Sequence, residues 1–427
     1  MFRVLIRASI LCAVLLMLFC PVLARPQGGE SDLEAEVALK DLLKEAAENN
    51  PAIKAAAQAA AASRETAAAA DALPDPTVKF ENMGHLIPPN LMPGDPSSAR
   101  SYGIEQEIPF PGKRDLRGDI ASAEAEAQRW NQEVVRRQVI SDLKQAFYDL
   151  YLIRKSIDIL MKNKELLQSF EQTAEARYSV GQSTQQDVLK AQVEQSKVLD
   201  RLLVLGEKKR VAEAKINNLL YRPAGSPVGR PAELKKSELR YSVEELTNLA
   251  LTNAPALKMQ ESEVARRQYG LDLARKEYYP DFAVGFSYFE RDENPGMYRL
   301  MFSAKLPIWY HKQRHEEDAA RLNLSSAKNQ HDSASSTVRF QVKENYTAAS
   351  TSEKLAKLYS SAIVPQADLA LGSAIANYQV GKIDFLQLID SSTALLEYQL
   401  KYYEAMTQFH KALALLEPMV GVDLTDG

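Results

Sequence analysis

Hydrophobic and polar positions follow two rhythms along the chain. In four short stretches they alternate residue by residue. In "DFAVGFSYFE" (281–290), Phe282, Val284, Phe286 and Tyr288 share one face, with Ala283, Gly285 and Ser287 on the other. In "YRLMFSAKLP" (298–307), Tyr298, Leu300, Phe302, Ala304 and Leu306 alternate with Arg299, Met301, Ser303 and Lys305. Earlier, Val78 and Phe80 stand against Lys79 and Glu81, and Tyr102, Ile104 and Ile108 against Ser101, Glu105 and Glu107. A period of two predicts strands with one apolar and one polar face, paired as 76–83 with 99–109 and 281–290 with 297–307.

Elsewhere the rhythm is helical. Lys113 to Arg177 holds no proline and a single glycine, Gly118; such a run is roughly 100 Å long if helical throughout. Gln313 to Asn377 is an equal run, interrupted at Pro365 and Gly372. Pro365 removes a helical hydrogen bond and predicts a kink, a candidate hinge or a static bend, where the earlier run has Glu165. Shorter segments, 185–220 and 384–417, return, with Val188, Leu189, Leu199, Leu202, Leu203 and Leu205 at coiled-coil-like intervals. Between outgoing and returning helices lie "RYSVGQSTQQDVL" (177–189) and "NYQVGKIDFLQLI" (377–389). Gly181 and Gly381 permit the positive φ of a tight reversal, so each stretch reads as the far tip of a long helical hairpin.

The similar tips belong to a larger repeat. "NNPAIK" (49–54) resembles "NAPALK" (253–258), and "IPFPGKR" (108–114) resembles "LPIWYHKQR" (306–314). Each copy reads as helix, strand, strand, long helix, tip, helix. The first copy is expected over 51–220 and the second over 241–417, with a Pro/Gly-rich linker at 221–240, a segment 25–50 ahead and a tail at 418–427.

Composition narrows the setting. "MFRVLIRASILCAVLLMLFCPVLA" (1–24) has the basic start, short apolar run and small-residue end of a cleaved signal peptide. Both cysteines, Cys12 and Cys20, lie in it, so the mature chain has neither disulfides nor thiolate chemistry. Losing Arg3 and Arg7 takes the formal charge from −4 to −6, which argues against nucleic-acid binding. No catalytic constellation, phosphate loop or nucleophile elbow is present, and no cofactor is implied.

The strands allow two readings: an ordinary antiparallel sheet on a periplasmic coiled-coil scaffold, or the wall of a transmembrane barrel. Their length suits a tilted bilayer crossing. Phe110, Tyr278, Tyr279, Trp309 and Tyr310 cluster at the helix-side ends, as an interfacial girdle would. The intervening "MGHLIPPNLMPGDPSS" and "RDENPG" read as exposed loops. Four strands cannot close a barrel, so a membrane reading requires an oligomer: eight strands in a dimer, twelve in a trimer.

The two repeats, their strand hairpins, "IPFPGKR" and the paired tips together resemble the TolC-like outer-membrane efflux family. The resemblance implies a mainly α fold with some β: a homotrimer sharing a twelve-stranded barrel in outer-membrane lipid above a long periplasmic helical barrel. It also implies a passive exit duct, whose tips dock a periplasmic adaptor joined to an inner-membrane pump of the RND type. Pro111-Gly112-Lys113 leans towards the heavy-metal branch of the family, although the second repeat has Tyr310-His311-Lys312 in its place. The duct of a type I protein secretion system is the alternative within the family.

Candidate residues follow. Tyr178, Gly181, Tyr378 and Gly381 match the adaptor-contacting tips, where plain hairpin closure also accounts for the glycines. Asp384 and Asp187 are candidates for a carboxylate ring constricting the tunnel, or else caps of the returning helices. Lys79, Glu81, Glu105, Glu107, Arg299 and Lys305 are expected to line the barrel lumen. His311 and His315 have helical metal-site spacing, but solvated histidines are the expected reading. His85 and Met92, in the first loop, are weaker candidates for contact with departing metal.

Overall fold

The computed structural model describes residues 36–85, 89–234 and 238–424. The expected signal peptide, with Cys12 and Cys20, lies outside the described residues.

The first repeat opens with a short strand β1 (Glu36–Val37) and two helices, α1 (Leu39–Asn49) and α2 (Pro51–Ala69). Asn50 separates the helices. Its Oδ1 accepts from the Ala52 and Ile53 N–H groups, at 2.9 and 3.3 Å, while Pro51 gives up no needed donor at the first helical position. Its Nδ2 donates to the Leu219 carbonyl at 2.8 Å, tying the start of the repeat to its end. Strands β2 (Thr77–Met83) and β3 (Ala99–Ile108) follow, then the 67-residue helix α3 (Lys113–Ser179) and its return α4 (Gln185–Leu219).

The second repeat has the same order: α5 (Val243–Asn253), α6 (Pro255–Lys276), β5 (Asp281–Glu290), β6 (Met297–Lys305), α7 (Tyr310–Leu358), a π-helical turn (Tyr359–Ile363), α8 (Val364–Gln379) and α9 (Phe385–Val420). Three details depart from expectation. Each repeat begins with two helices, because the Asn50-Pro51 and Ala254-Pro255 junctions break one helix and start the next. The 221–240 stretch is more than a linker: β4 (Arg230–Pro231) pairs in parallel with β1. Finally, α9 runs past 417, through Pro418, to Val420. Pro418 has no N–H for the Ala414 carbonyl four residues back. The Ser141 hydroxyl of α3 donates to that carbonyl instead, at 2.8 Å, and the helix continues to Gly421 in the left-handed region.

Strands from both repeats form one antiparallel sheet in the order β2-β3-β5-β6. Helix α3 packs against α2, α4, α6 and α9, and α7 against α6, α5 and α9. Apolar burial falls into three clusters. One unites the tip halves of both repeats, around Leu160, Phe170, Leu371, Phe385 and Leu388. The others close the opening helices of each repeat onto their long helices, around Leu42, Phe147 and Ile216 and around Leu246, Val342 and Phe409. Among the described residues no helix is long and apolar enough to cross a membrane.

Candidate functional site

The register of the sheet gathers the alternating residues onto two faces. Lys79 opposes Gly103, Glu81 opposes Ser101, and Gly103 opposes Ser287, which opposes Arg299. Glu105 lies across from Gly285, Glu107 from Ala283, and Lys305 from Asp281. Directly opposed residues share a face, so Lys79, Glu81, Glu105, Glu107, Arg299 and Lys305 stand on one side. Lys79 and Glu105 pair there, and Arg299 lies 4.6 Å over the Phe289 ring.

The other side carries Val78, Phe80, Tyr102, Ile104, Phe282, Val284, Phe286, Tyr288, Tyr298, Leu300 and Phe302. Among the described residues no helix covers it: Val78 is 78% exposed, Phe302 77% and Tyr298 71%. Gln106 interrupts the band, its amide satisfied by the Pro74 and Glu107 carbonyls at 2.8 Å. An exposed apolar surface of this kind marks a partner or membrane face.

At the helix-side end of the sheet, Phe110 stacks on Tyr279 at 4.6 Å and Tyr278 on Tyr310 at 6.3 Å, while Trp309 is exposed. Lys113, the first residue of α3, is buried here. Its ammonium donates to Glu277, Asp281 and the Tyr279 carbonyl, at 3.0, 2.9 and 3.1 Å. A cation from the first repeat thus fastens the second repeat's helix-to-strand corner. Gly112, at φ +85°, holds a left-handed conformation that side-chain-bearing residues rarely adopt. The sequence marked Pro111-Gly112-Lys113 as a motif; the partners are visible only in the structure.

At the opposite end the two tips close alike. Gly181 and Gly381, at φ +74° and +75°, each donate to the carbonyl of the preceding tyrosine at 3.0 Å. The tyrosines differ. Tyr178 is exposed, whereas Tyr378 is buried against Phe385 and beneath Arg177, and burial pushes its phenol up. Within one chain the Tyr378 ring is a packing residue of the tip, and Tyr178 is the exposed tyrosine. The exposed apolar residues beside the two glycines are Val180 and Val380. Asp384 caps α9, accepting from the Gln387 N–H at 2.9 Å, and Asp187 accepts from the Thr184 N–H at 3.2 Å and from the Ser183 hydroxyl. Within one chain these caps account for both carboxylates. Pro365 lies two residues past the π-helical turn, whose wider hydrogen bond runs from the Val364 N–H to the Tyr359 carbonyl. His311 and His315 sit on the first turns of α7, and among the described residues no group of three or more His, Cys, Asp or Glu side chains is arranged for a metal ion.

Sequence and fold comparisons agree with this architecture. A cobalt-zinc-cadmium resistance protein, CzcC, of Cupriavidus metallidurans is 23% identical over 419 residues, spanning 94% of this chain and 92% of its own. A membrane protein from Pseudomonas aeruginosa superposes with a TM-score of 0.79 at 18% identity, covering 93% of each chain. CusC, solved in a study of folding and transmembrane channel formation, superposes at 0.77 with 15% identity over 93% of this chain and 95% of its own. Residues 42–220 and 246–422 match the Outer membrane efflux protein family. With both repeats matched, the chain belongs to that family.

Proposed function

We propose that this protein is the outer-membrane exit duct of a tripartite efflux system for heavy-metal cations. The observation that carries the reading is the four-stranded sheet, with one face predominantly apolar and exposed, the other charged, and the outer edges of β2 and β6 unpaired among the described residues. A membrane tolerates such a sheet only when its edges close. Because neighbouring strands are antiparallel throughout, β6 of one copy meets β2 of the next antiparallel as well. Three copies give a closed twelve-stranded wall with lipid outside and water inside.

The lumen then carries Glu81, Glu105 and Glu107 against Lys79, Arg299 and Lys305, a balance that favours a wet pore of weak selectivity. The long hairpins form a periplasmic tunnel. Its tips, with Tyr178, Gly181, Val180, Val380 and Gly381 outermost, dock a periplasmic adaptor attached to an RND-type inner-membrane pump that supplies the energy. Asp384, repeated three times around the axis, places a carboxylate ring at the tip. The metal class rests on the CzcC relative and on the Pro-Gly-Lys element.

Two measurements test the proposal. Purified protein in planar bilayers should conduct ions, and a deletion strain should become sensitive to Co²⁺, Zn²⁺ or Cd²⁺. A silent bilayer contradicts the duct; unchanged metal tolerance contradicts the cargo.

A further inference from the structure

His311 and His315 lie on the side of α7 turned away from α6. The packed side is marked by Tyr310 on Tyr278, by buried Gln313, and by Glu317 paired with Arg275. Both imidazoles are exposed, yet their rings meet edge to face, with centroids 4.4 Å apart and the two Nε2 atoms 3.3 Å apart. Two neutral imidazoles at that distance can share a hydrogen, but water competes for the same groups and little net stabilisation results. The same spacing suits a metal held between the two rings. Zinc–imidazole bonds of about 2.0–2.1 Å at a tetrahedral angle of roughly 109° set two ligand nitrogens about 3.3–3.4 Å apart. The flanking charges leave the site accessible, with Lys312 drawn to Glu316 at 3.6 Å and Asp318 to Arg321 at 3.4 Å.

We propose that His311 and His315 form a binding site for a divalent transition cation such as Zn²⁺ or Co²⁺, held through the two Nε2 atoms. Two protein ligands leave the remaining positions to water, so the ion exchanges readily. The site stands at the junction of strand β6 and the long helix α7. A purified chain suffices to test it, so the site is assessed separately from channel activity.

The test uses tag-free mature protein purified in detergent, titrated with Zn²⁺ by calorimetry and with Co²⁺ by visible absorption. One Zn²⁺ per chain is expected, with tetrahedral Co²⁺ absorption. His311→Gln or His315→Gln should weaken Zn²⁺ binding at least roughly tenfold, the lower end of what loss of an outer partner alone costs. His331→Gln, at a half-buried histidine elsewhere on α7, should change nothing. Equal binding by wild type and the H311Q/H315Q double variant overturns the proposal, as does the absence of Zn²⁺ binding to wild type at millimolar metal.

Discussion

Arg177, near the end of α3, holds Tyr378, near the end of α8. Its guanidinium lies 4.8 Å from the tyrosine ring centroid, and its Nη1 donates to the Tyr378 carbonyl. The contact joins the tips of the two repeats, beside the apolar cluster they share. A cation–π contact contributes about 0.5–2 kcal/mol, and a hydrogen bond from a charged donor about 1.5–3 kcal/mol. Arg177→Ala should therefore loosen the tips, raising amide hydrogen exchange over 376–384 and the resting conductance in bilayers. Unchanged exchange there would show that the contact does not hold the tips.

The junction of sheet and helices depends on Lys113. Replacing it with methionine leaves the carboxylates of Glu277 and Asp281 facing each other without their cation. Breaking a buried pair costs about 3–5 kcal/mol, and the low end is expected because Glu277 keeps a third of its surface in water. The thermal midpoint of the purified protein should fall clearly in Lys113→Met. Glu277→Gln should have a smaller effect.

The two faces of the sheet should respond oppositely to charge. Phe302→Arg places a cation on the apolar face, where it costs about 2–4 kcal/mol at mid-bilayer. Ser303→Arg, one residue on, faces the charged side. Outer-membrane fractions should contain little assembled F302R protein and normal amounts of S303R. Equal assembly of both would deny the apolar face its lipid.

Acid should destabilise the helical part in a defined window. Burial raises the carboxyl pKa of Glu263, but hydrogen bonds from Arg266 and Arg267, at 2.6 and 2.7 Å, outweigh it and hold it below the ordinary 4.5. Arg136 and Arg137 do the same for partly buried Glu133. A depressed folded-state pKa means that the unfolded chain takes up the proton first. The stabilisation is then complete above the ordinary value and is lost as pH falls through the lower folded one. Melting temperature should be flat from about pH 7 to 5 and decline below about pH 4.5. The Glu133→Gln/Glu263→Gln double variant should show a shallower decline; an identical acid profile would mean these carboxylates do not set it.

Much of this was legible in the sequence because its signals are local. A period of two marked the strands, and the alternation of Phe282 to Tyr288 assigned their faces before any register was known. Gly181 and Gly381 marked the tips through a conformation that other residues avoid. The hidden features depend on distant partners. Ser141 satisfies a carbonyl 273 residues away, so Pro418 read as a helix end. Lys144 and Glu417, buried and 2.6 Å apart, carry no local signal of their pairing. Tyr178 and Tyr378 are equivalent in sequence, yet Arg177 reaches across the tips and buries only the second.

The central claim is closure of the sheet by three copies. The most direct measurement is the mass of the particle extracted from outer membranes in mild detergent, with the detergent subtracted. Three times the chain mass, in a particle with a membrane-sized barrel and a rod of about 100 Å, is the predicted result. A monomer or dimer released without detergent would contradict it.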